Sequence, residues 1–336
     1  METILDTLLD KKIITNEQKI LIEKYDHRLK NNQVAIIYNL RHLRKILKIN
    51  KKKQNLYFGQ DKYKSYKVFF IPKKSGGFRK IEAPLQNMLN CQKWIKKNIL
   101  DSFQVSKYAT GFKKDCSIIE NAKPHVNQEV VINLDLENFF GSITYNQVFR
   151  FFIYVGYTKE VAHLLTKLCT NKLDVLPQGA PTSPTLSNIL CLKLDKRLSC
   201  LAKSFGANYT RYADDITFSG QKKILKMIPL IKRIIKEENL TINYKKFRIR
   251  FSNQKQEVTG LTVNKKLSVS KRLINELEKA IYFCQKLGVD THMENIKCDR
   301  LFYKEHLYGI AYFIKMIDKN KGNKYIAELE KINWIY

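Results

Sequence analysis

The sequence predicts an α+β fold from three observations. Short β-prone runs occupy the middle of the 336-residue chain, and residues 129–134 are apolar enough to form a strand buried on both faces. Helical periodicity dominates both ends of the chain. A hydrophobic fraction of 44% supplies a real core, which excludes a disordered basic tail, and the formal net charge of +30 favours a polyanionic partner.

Residues 1–56 are predicted to form an N-terminal helical basic region. Thr15 to Gln18 have the spacing of a capping box ahead of an apolar run. The basic stretch at residues 40–53 is equally compatible with a solvated helix face and with a nucleic-acid contact. The first residues do not resemble a signal peptide and no apolar run reaches the length of a membrane span, so we expect a cytoplasmic protein without a membrane partner.

Residues 57–265 contain the predicted strands. Two runs around a Gly-Gly turn, residues 66–71 and 78–84, predict a β-hairpin. Further strands are predicted at residues 209–218, around a turn, and at 247–251 and 258–263. Helices are predicted at residues 85–103, in two segments of 145–169, after an N-cap at Ser183, and at 224–238. Residues 266–336 are predicted to be helical and basic.

Two adjacent carboxylates, Asp214 and Asp215, lie between β-prone runs in this basic chain. Successive side chains of a strand point to opposite faces, so neighbouring aspartates can serve one site only if the chain turns there. A strand–turn–strand structure brings both carboxylates to the tip of a hairpin. Such a concentration of negative charge suits a divalent metal ion and a polyanionic substrate together.

A third carboxylate, Asp135, directly follows the buried run. Taken alone, such a residue can equally cap the next helix. If its strand and the acidic hairpin are neighbours in one sheet, their carboxylates lie about 5 Å apart across the ladder. They would then converge on a pair of Mg²⁺ ions, which prefer a few carboxylates and clamp the attacking and leaving oxygens of a phosphoryl transfer.

Three segments in this order resemble the palm motifs of reverse transcriptases: Asp135 to Phe140, Leu176 to Pro184, and Tyr212-Ala213-Asp214-Asp215. Two more resemble the Asn-Ala-x-x-His and Val-Thr-Gly motifs of retron reverse transcriptases, namely Asn121-Ala122-Lys123-Pro124-His125 and Val258-Thr259-Gly260. The resemblance covers residues 60–265 by motif. It implies a right-hand polymerase fold, with fingers and palm (an antiparallel sheet with helices) in residues 57–265 and a helical thumb in 266–336.

The resemblance also implies a role for each matching residue. Asp135 and Asp214 match the two principal metal ligands of the family. Asp215 matches the supporting third carboxylate, whose alternative role is to orient the turn. Phe140 matches the bulky residue that packs under the incoming sugar and excludes a 2′-hydroxyl. Gln178 matches the residue that lies against the incoming nucleotide and the template.

Cationic residues match the groups that handle the triphosphate. Arg79, with Lys73 or Lys74 across the hairpin turn, matches the fingers residues that hold it, although either lysine could be a solvated turn residue. Lys246 matches the lysine proposed to protonate pyrophosphate, in surroundings that are rich in lysine. Gly179 is expected where backbone must approach a ligand closely.

The two retron-type motifs are associated with RNA. The resemblance implies that Asn121 and His125 take part in retron-specific RNA handling, whereas a lone histidine near a proline is more often a packed or capping residue. Val258-Thr259-Gly260 would position the primer terminus or the structured RNA. The alternative for that segment is a plain strand with a glycine bend.

The resemblance implies the RNA-directed DNA polymerase of a retron. Such an enzyme uses two Mg²⁺ ions and dNTP substrates to copy part of a structured non-coding RNA into single-stranded DNA. It primes from a 2′-hydroxyl of that RNA, leaves branched RNA–DNA (msDNA), and serves anti-phage defence beside a separate effector protein. One alternative is another bacterial reverse transcriptase, of the group II intron or another defence type. The other is a non-catalytic RNA-binding scaffold, against which the intact carboxylates and Phe140 argue.

Overall fold

The computed structural model describes residues 4–73 and 76–334, so Lys74 lies outside the described residues. Within these ranges the α-helices are α1 Ile4–Asp10, α2 Asn16–Asn31, α3 Leu40–Ile46, α4 Asn55–Phe58, α5 Gln86–Asn98, α6 Ile118–Ala122, α7 Phe139–Ser142, α8 Tyr145–Val155, α9 Lys159–Cys169, α10 Thr182–Leu190, α11 Leu192–Ser204, α12 Ile228–Glu237, α13 Lys271–Leu287, α14 Val289–Asn295, α15 Tyr303–Ile317 and α16 Lys319–Glu330. Short 3₁₀ helices lie at Lys51–Lys53, Gln60–Ser65, Leu100–Ser102, Lys123–His125 and Lys222–Met227. None of the described helices is long and apolar enough to cross a bilayer.

The described strands form three sheets, and their bounds are β1 Tyr66–Pro72, β2 Phe78–Pro84, β3 Val130–Asp135, β4 Asn208–Tyr212, β5 Asp215–Gly220, β6 Arg248–Phe251, β7 Glu257–Val258 and β8 Leu261–Thr262. A hairpin of β1 and β2 and a hairpin of β7 and β8 stand apart from a four-stranded sheet of order β4-β5-β3-β6. Every one of these pairs is antiparallel. Helices combined with antiparallel sheets confirm the predicted α+β class.

Local sequence accounts for most of these elements. β3 is buried along most of its length between β5 and β6, as its apolar sequence predicts. The capping box of α2 is confirmed, because Thr15 Oγ1 accepts from the Gln18 amide at 3.2 Å and Gln18 Oε1 accepts from the Thr15 amide at 2.9 Å. The β1–β2 hairpin closes where predicted, with the Lys73 amide donating to Gly77 O at 2.9 Å.

The predicted N-cap at Ser183 is wrong. Ser183 lies inside α10, and its Oγ donates to Pro177 O at 2.8 Å instead of capping the helix. The Ser183 hydroxyl is therefore engaged by the carbonyl oxygen of Pro177, in the loop before α10, and does not cap the helix. The helix that follows is also interrupted at Cys191, between α10 and α11. The predicted helix at residues 224–238 begins instead as the 3₁₀ turn Lys222–Met227.

The chain divides into two compact units whose segments alternate along the sequence. The first unit runs to Lys113 and also contains Leu136–Leu198 and Ile231–Ile242. The second unit contains Lys114–Asp135, Ser199–Leu230 and the chain from Asn243 onward. The predicted boundaries after residues 56 and 265 stay predictions.

Helix α9 is the centre of the first unit. It packs against α3, α4, α5 and α8, and α10 packs against α5 and α8. The buried side of α9 carries Val161, Leu164, Leu165 and Leu168, which follow helical spacing. The core therefore consists of helices, and most of the β1–β2 hairpin is left exposed.

The second unit contains the four-stranded sheet and the C-terminal helices. Helices α13 to α16 enclose one apolar cluster, which includes Leu277, Leu307, Ala311 and Leu329. A smaller cluster joins the sheet to its neighbours: Ala122, Val131, Val258, Leu261 and Val263. Helix α6 contacts β4 and β8, so this helix links the sheet to the β7–β8 hairpin.

A buried lysine in the first unit gives a pH-dependent prediction. Lys62 is 3% exposed and donates to Thr170 Oγ1 at 3.3 Å. Burial, together with the charge of Lys167, lowers the pKa of Lys62 from 10.5 to about 7. Between those two values the unfolded chain holds a proton that the folded protein lacks. The free energy of unfolding should therefore rise with pH, by up to about 1.4 kcal/mol per pH unit from this group.

We expect Lys62→Met to lose this contribution, because methionine fills a similar volume without titrating. The measurement is urea denaturation at pH 7, 8 and 9. Lys64→Met is the matched control, since Lys64 is exposed and its ion pair with Asp61 is on the surface. The control should keep the wild-type slope, and an equal slope in Lys62→Met would contradict the assignment.

Candidate active site

The acidic hairpin has a constrained turn. Tyr212 of β4 pairs with Asp215 of β5, so Ala213 and Asp214 form the connection. Ala213 has a left-handed φ of 57°, which disfavours a residue with a side chain by roughly 1–2 kcal/mol. The fully buried Arg211 donates from Nη1 to Ala213 O at 3.1 Å and holds this backbone in place. The turn that carries Asp214 is therefore fixed from inside the protein.

The register of the sheet brings the predicted carboxylates together. Asp135 pairs directly with Asp215 across β3 and β5, so both side chains lie on the same face. This confirms the prediction that the two segments are neighbouring strands of one sheet. Asp214 follows Ala213 in the turn and acts electrostatically on Asp215.

Two residues of the loop between α12 and β6 contact Asp135. Asn243 donates from Nδ2 to Asp135 Oδ1 at 3.2 Å, and its backbone amide donates to Asp135 O at 2.8 Å. Lys246 Nζ lies 2.7 Å from Asp135 Oδ2. Asp135 itself is 5% exposed. A buried carboxylate thus has its orientation fixed by an amide and its charge matched by one lysine.

The electrostatics of the cluster favour a cation. Burial, then the negative charges of Asp214 and Asp135, raise the pKa of Asp215 from 3.8 to about 7. Solvent reaches one side of Asp215 and screens part of this repulsion. Burial lowers the pKa of Lys246, but its hydrogen bond to Asp135 and the three carboxylate charges outweigh burial and raise that pKa above 10.5.

Among the described residues, no three His, Cys, Asp or Glu side chains already surround a common point that would hold a metal ion. The chemistry of the donors nevertheless fits Mg²⁺, which takes carboxylate oxygens together with substrate phosphates and water. The repulsion that raises the pKa of Asp215 is also what a divalent ion would relieve. Asp135, Asp214 and Asp215 are therefore suitable ligands.

His125 is fully buried in the second unit. Its Nδ1 lies 2.7 Å from Ser219 Oγ and its Nε2 lies 2.8 Å from Thr210 Oγ1. Thr210 in turn donates to Asn121 O at 3.3 Å, which assigns the proton of the imidazole to Nε2. Burial lowers the pKa of His125 to about 3, so the ring stays neutral. The histidine joins the helical segment before β3 to the two strands of the acidic hairpin.

The Val-Thr-Gly segment forms the turn between β7 and β8. Thr259 and Gly260 both have left-handed φ values, of 45° and 84°, as the two central residues of a type I′ hairpin turn require. Asn121 donates from Nδ2 to Thr259 Oγ1 at 3.3 Å. The two retron-type motifs therefore contact each other, which the sequence alone did not reveal.

Burial changes how these two motifs can act. Asn121, His125 and Val258 are at most 1% exposed, so their side chains offer no surface to RNA in this structure. Direct RNA contact by these three side chains is a prediction that the structure argues against. Thr259 is half-buried and Gly260 is exposed, so the turn itself is the accessible part of this region.

The predicted nucleotide-binding residues that the structure describes lie in the first unit, apart from Lys246. Arg79 of β2 and Lys73 are exposed on the β1–β2 hairpin. Gln178 O accepts from the Glu82 amide of the same hairpin at 2.8 Å. Phe140 is half-buried, with its ring 6.0 Å from that of Phe112.

Gly179 lies close to the backbone of β2. A Cβ at this position would lie 2.9 Å from Glu82 O and 3.1 Å from Ile81 Cγ2. The backbone of β2 therefore occupies the space that a side chain would need, and the approach of a ligand to this backbone stays a prediction. Its φ of 131° also disfavours any other residue.

Two residues with clear structural roles were not predicted. Arg211 lies in a β-prone run, and the available signal is that a charged residue inside a buried strand needs a specific partner. Asn243 lies three positions before Lys246. Its closeness to this motif lysine is the only feature of the sequence that points to a role in the site.

Comparison with known proteins identifies the family. Residues 71–264 match the family described as reverse transcriptase (RNA-dependent DNA polymerase). Over 312 residues the chain is 35% identical to the retron Ec86 reverse transcriptase of Escherichia coli, covering 90% of this chain and 93% of that protein. The chain belongs to the retron reverse transcriptases. This retron reverse transcriptase is also 34% identical to the retron Mx65 reverse transcriptase of Myxococcus xanthus, covering 79% of this chain and 64%, less than two thirds, of that relative.

Two solved structures show weaker similarity. A telomerase from Candida albicans matches with a TM-score of 0.45 and 11% identity, covering 78% of this chain and 55% of that one. A foamy viral protease-reverse transcriptase matches with a TM-score of 0.44 and 16% identity, covering 97% of this chain and 58% of that one. The family match identifies this retron reverse transcriptase as an RNA-directed DNA polymerase with the right-hand fold, as predicted.

Proposed function

We propose that this retron reverse transcriptase copies part of a dedicated structured RNA into single-stranded DNA. Synthesis starts from a 2′-hydroxyl within the same RNA and leaves a branched RNA–DNA product. The observation that carries the catalytic part is the register that sets Asp135 opposite Asp215, with Asp214 in the adjoining turn. The retron relatives and the two retron-type motifs support the RNA-specific part.

Asp135, Asp214 and Asp215 would hold two Mg²⁺ ions, which neutralise charge on the attacking and leaving oxygens when bound. The protein contributes three carboxylates, and the structure fixes two features of their arrangement. Asn243 fixes the orientation of Asp135, and pairing of β3 with β5 fixes its distance from Asp215. Fixing Asp135 in this way reduces the rearrangement that the site needs in order to stabilise charge during the reaction.

Each addition forms a bond between the primer hydroxyl oxygen and the α-phosphorus of a dNTP. The bond from that phosphorus to the bridging oxygen breaks, and pyrophosphate leaves. The primer hydroxyl gives up its proton to solvent as the new bond forms. We assign Lys246 Nζ as the proton donor to the departing pyrophosphate, since its ion pair with Asp135 holds the charged ammonium beside the carboxylates.

Exposed cations of the β1–β2 hairpin would hold the triphosphate. Arg79 is the principal candidate and Lys73 the second, with Lys74 as the alternative lysine. Phe140 would pack under the sugar and exclude a 2′-hydroxyl. Gln178 would lie against the nucleotide and the template, where its carbonyl already binds β2.

The partners follow from the same proposal. The structured RNA and its DNA copy would contact the basic C-terminal helices, which suit recognition of A-form shape and phosphates. The proposed role is anti-phage defence in the cytoplasm, with a separate effector protein bound to the RNA–DNA complex.

The test is the nucleic acid that co-purifies with the protein from cells expressing the chain with its RNA. We expect single-stranded DNA joined to RNA by a 2′,5′ linkage, which a debranching enzyme releases as a shorter species. The Asp214→Asn variant should co-purify with RNA alone. DNA that carries no branch would favour another type of bacterial reverse transcriptase, and RNA without DNA in the wild type would favour a non-catalytic scaffold.

A further inference from the structure

A polar cavity of about 520 Å³ lies beside the carboxylates, within the second unit. Asp215 and Thr217 line one side, Arg248 and Arg250 line another, and Thr259 and Gly260 form part of the rim. A volume of this size is in the range of small-ligand pockets. The cavity therefore has room for about one nucleotide.

Strand register explains why these side chains converge. Asn133 of β3 pairs with Thr217 of β5 on one side and with Arg248 of β6 on the other. Directly paired residues share a face, so Arg248 lies on the face that carries Asp135 and Asp215. Arg250 is two residues further along β6 and lies on the same face, about 7 Å from Arg248 by strand rise.

The two arginines are the uncompensated charges of the cavity. Lys255 and Glu257 also line it, but they pair with each other at 2.6 Å. Across the part of the chain that the structure describes, neither Arg248 nor Arg250 pairs with a carboxylate. Arg248 donates one hydrogen bond, from Nη1 to Phe247 O at 2.8 Å, and its remaining N–H groups are available to a ligand. The cavity thus has a cationic wall and one acidic corner, at Asp215.

The neutral lining suits a sugar. Asn133 donates from Nδ2 to Thr217 Oγ1 at 3.3 Å, and this pair presents an amide and a hydroxyl between Asp215 and Arg248. A ligand with a hydroxyl at one end and a phosphodiester at the other matches this order of groups.

We propose that this cavity binds the terminal nucleotide of the primer strand. Arg248 and Arg250 contact the phosphodiester on its 5′ side, and the attacking hydroxyl lies toward Asp215. The assignment rests on the polymerase activity and the carboxylate site proposed above, but not on 2′-hydroxyl priming. It assigns to the edge strand β6 a substrate contact that the palm motifs do not include.

Edge protection is the competing explanation, since charged residues on an edge strand prevent pairing with other chains. That role depends on charge at the edge and has no link to the primer. The two explanations differ in the measured constant: edge protection alters aggregation, whereas a phosphate contact alters the KM for primer–template.

The experiment uses a short DNA primer with a 3′-hydroxyl on an unrelated RNA template, so it does not depend on branched priming. Arg248→Gln/Arg250→Gln is compared with the wild type and with Arg233→Gln, a matched change at an exposed arginine of α12. We expect the KM for primer–template to rise about 100-fold in the double variant, roughly ten-fold per lost charged contact, with the KM for dNTP changed less than two-fold. The control should stay within two-fold.

A second measurement identifies the phosphate. Primers with a single uncharged methylphosphonate at each of the last three linkages are compared in both proteins. We expect one linkage to weaken the wild type about ten-fold or more and to have no further effect in the double variant. Equal penalties in both proteins, or no penalty in the wild type, would overturn the assignment. The scan of methylphosphonate primers with the wild type does not depend on any variant being folded. A protein that made linear DNA but no branched product would refute the proposed function, and the primer measurements would still test the assignment of Arg248 and Arg250.

Discussion

Replacing Asp214 by asparagine is expected to reduce primer extension by at least about 10³-fold, because the change removes a negative charge from a cluster built to stabilise charge in the transition state. Asp214 stands in a turn whose backbone is held by the buried Arg211, so the amide should occupy the same position as the carboxylate. Affinity for primer–template should change little. The measurement is single-turnover extension with dNTPs and Mg²⁺ at saturating primer–template.

Asp299→Asn is the matched control, since it makes the same chemical change at an exposed position in the second unit. It should retain wild-type rates. Retention of activity in Asp214→Asn would refute the polymerase site at this hairpin. A loss accompanied by a lower melting temperature would mean that the carboxylate supports folding and not catalysis.

Replacing His125 by alanine is expected to lower the free energy of unfolding by about 3–5 kcal/mol. The change leaves a cavity in the interior, and it removes the partner of both Ser219 Oγ and Thr210 Oγ1. Since these hydroxyls belong to the strands of the acidic hairpin, extension of an unrelated primer–template should also fall by ten-fold or more. Urea denaturation and primer extension below the melting temperature measure the two effects.

His27→Ala provides the control for His125→Ala, because His27 is exposed on α2 and its loss should change stability by less than about 0.5 kcal/mol. An RNA-contacting histidine would behave differently. It would leave stability and unrelated templates unaffected and would weaken only binding of the dedicated RNA. That pattern in His125→Ala would contradict the structural role that burial indicates.

Sequence reasoning succeeded where a local pattern and a global constraint agreed. The apolar run before Asp135 predicts a buried strand, and the adjacent pair at Asp214 and Asp215 can serve one site only if the chain turns there. Those two inferences led to the pairing of β3 with β5, which the structure confirms. The hairpin around Gly76 and Gly77 was equally clear, since glycine supplies the positive φ values that such a turn needs.

The failures involve contacts between residues that are distant in sequence. Ser183 has the local signature of a cap, but the carbonyl of Pro177 takes its hydroxyl. Gly179 lies close to the backbone of β2, a contact that no local pattern indicates. The contact of Asn121 with Thr259 spans 138 positions, and no local pattern encodes it. Motif resemblance indicated that these residues matter, and only three-dimensional packing shows how.

The central position of β3 has a consequence for biosynthesis. Both strands that flank β3, namely β5 and β6, follow it in the chain, and Asp135 meets its partner only after a loop of roughly 80 residues closes. Pairings of such long sequence separation form late and slowly. A chain that stops before residue 215 therefore carries Asp135 without the strand that pairs with it, and we expect such a chain to be inactive.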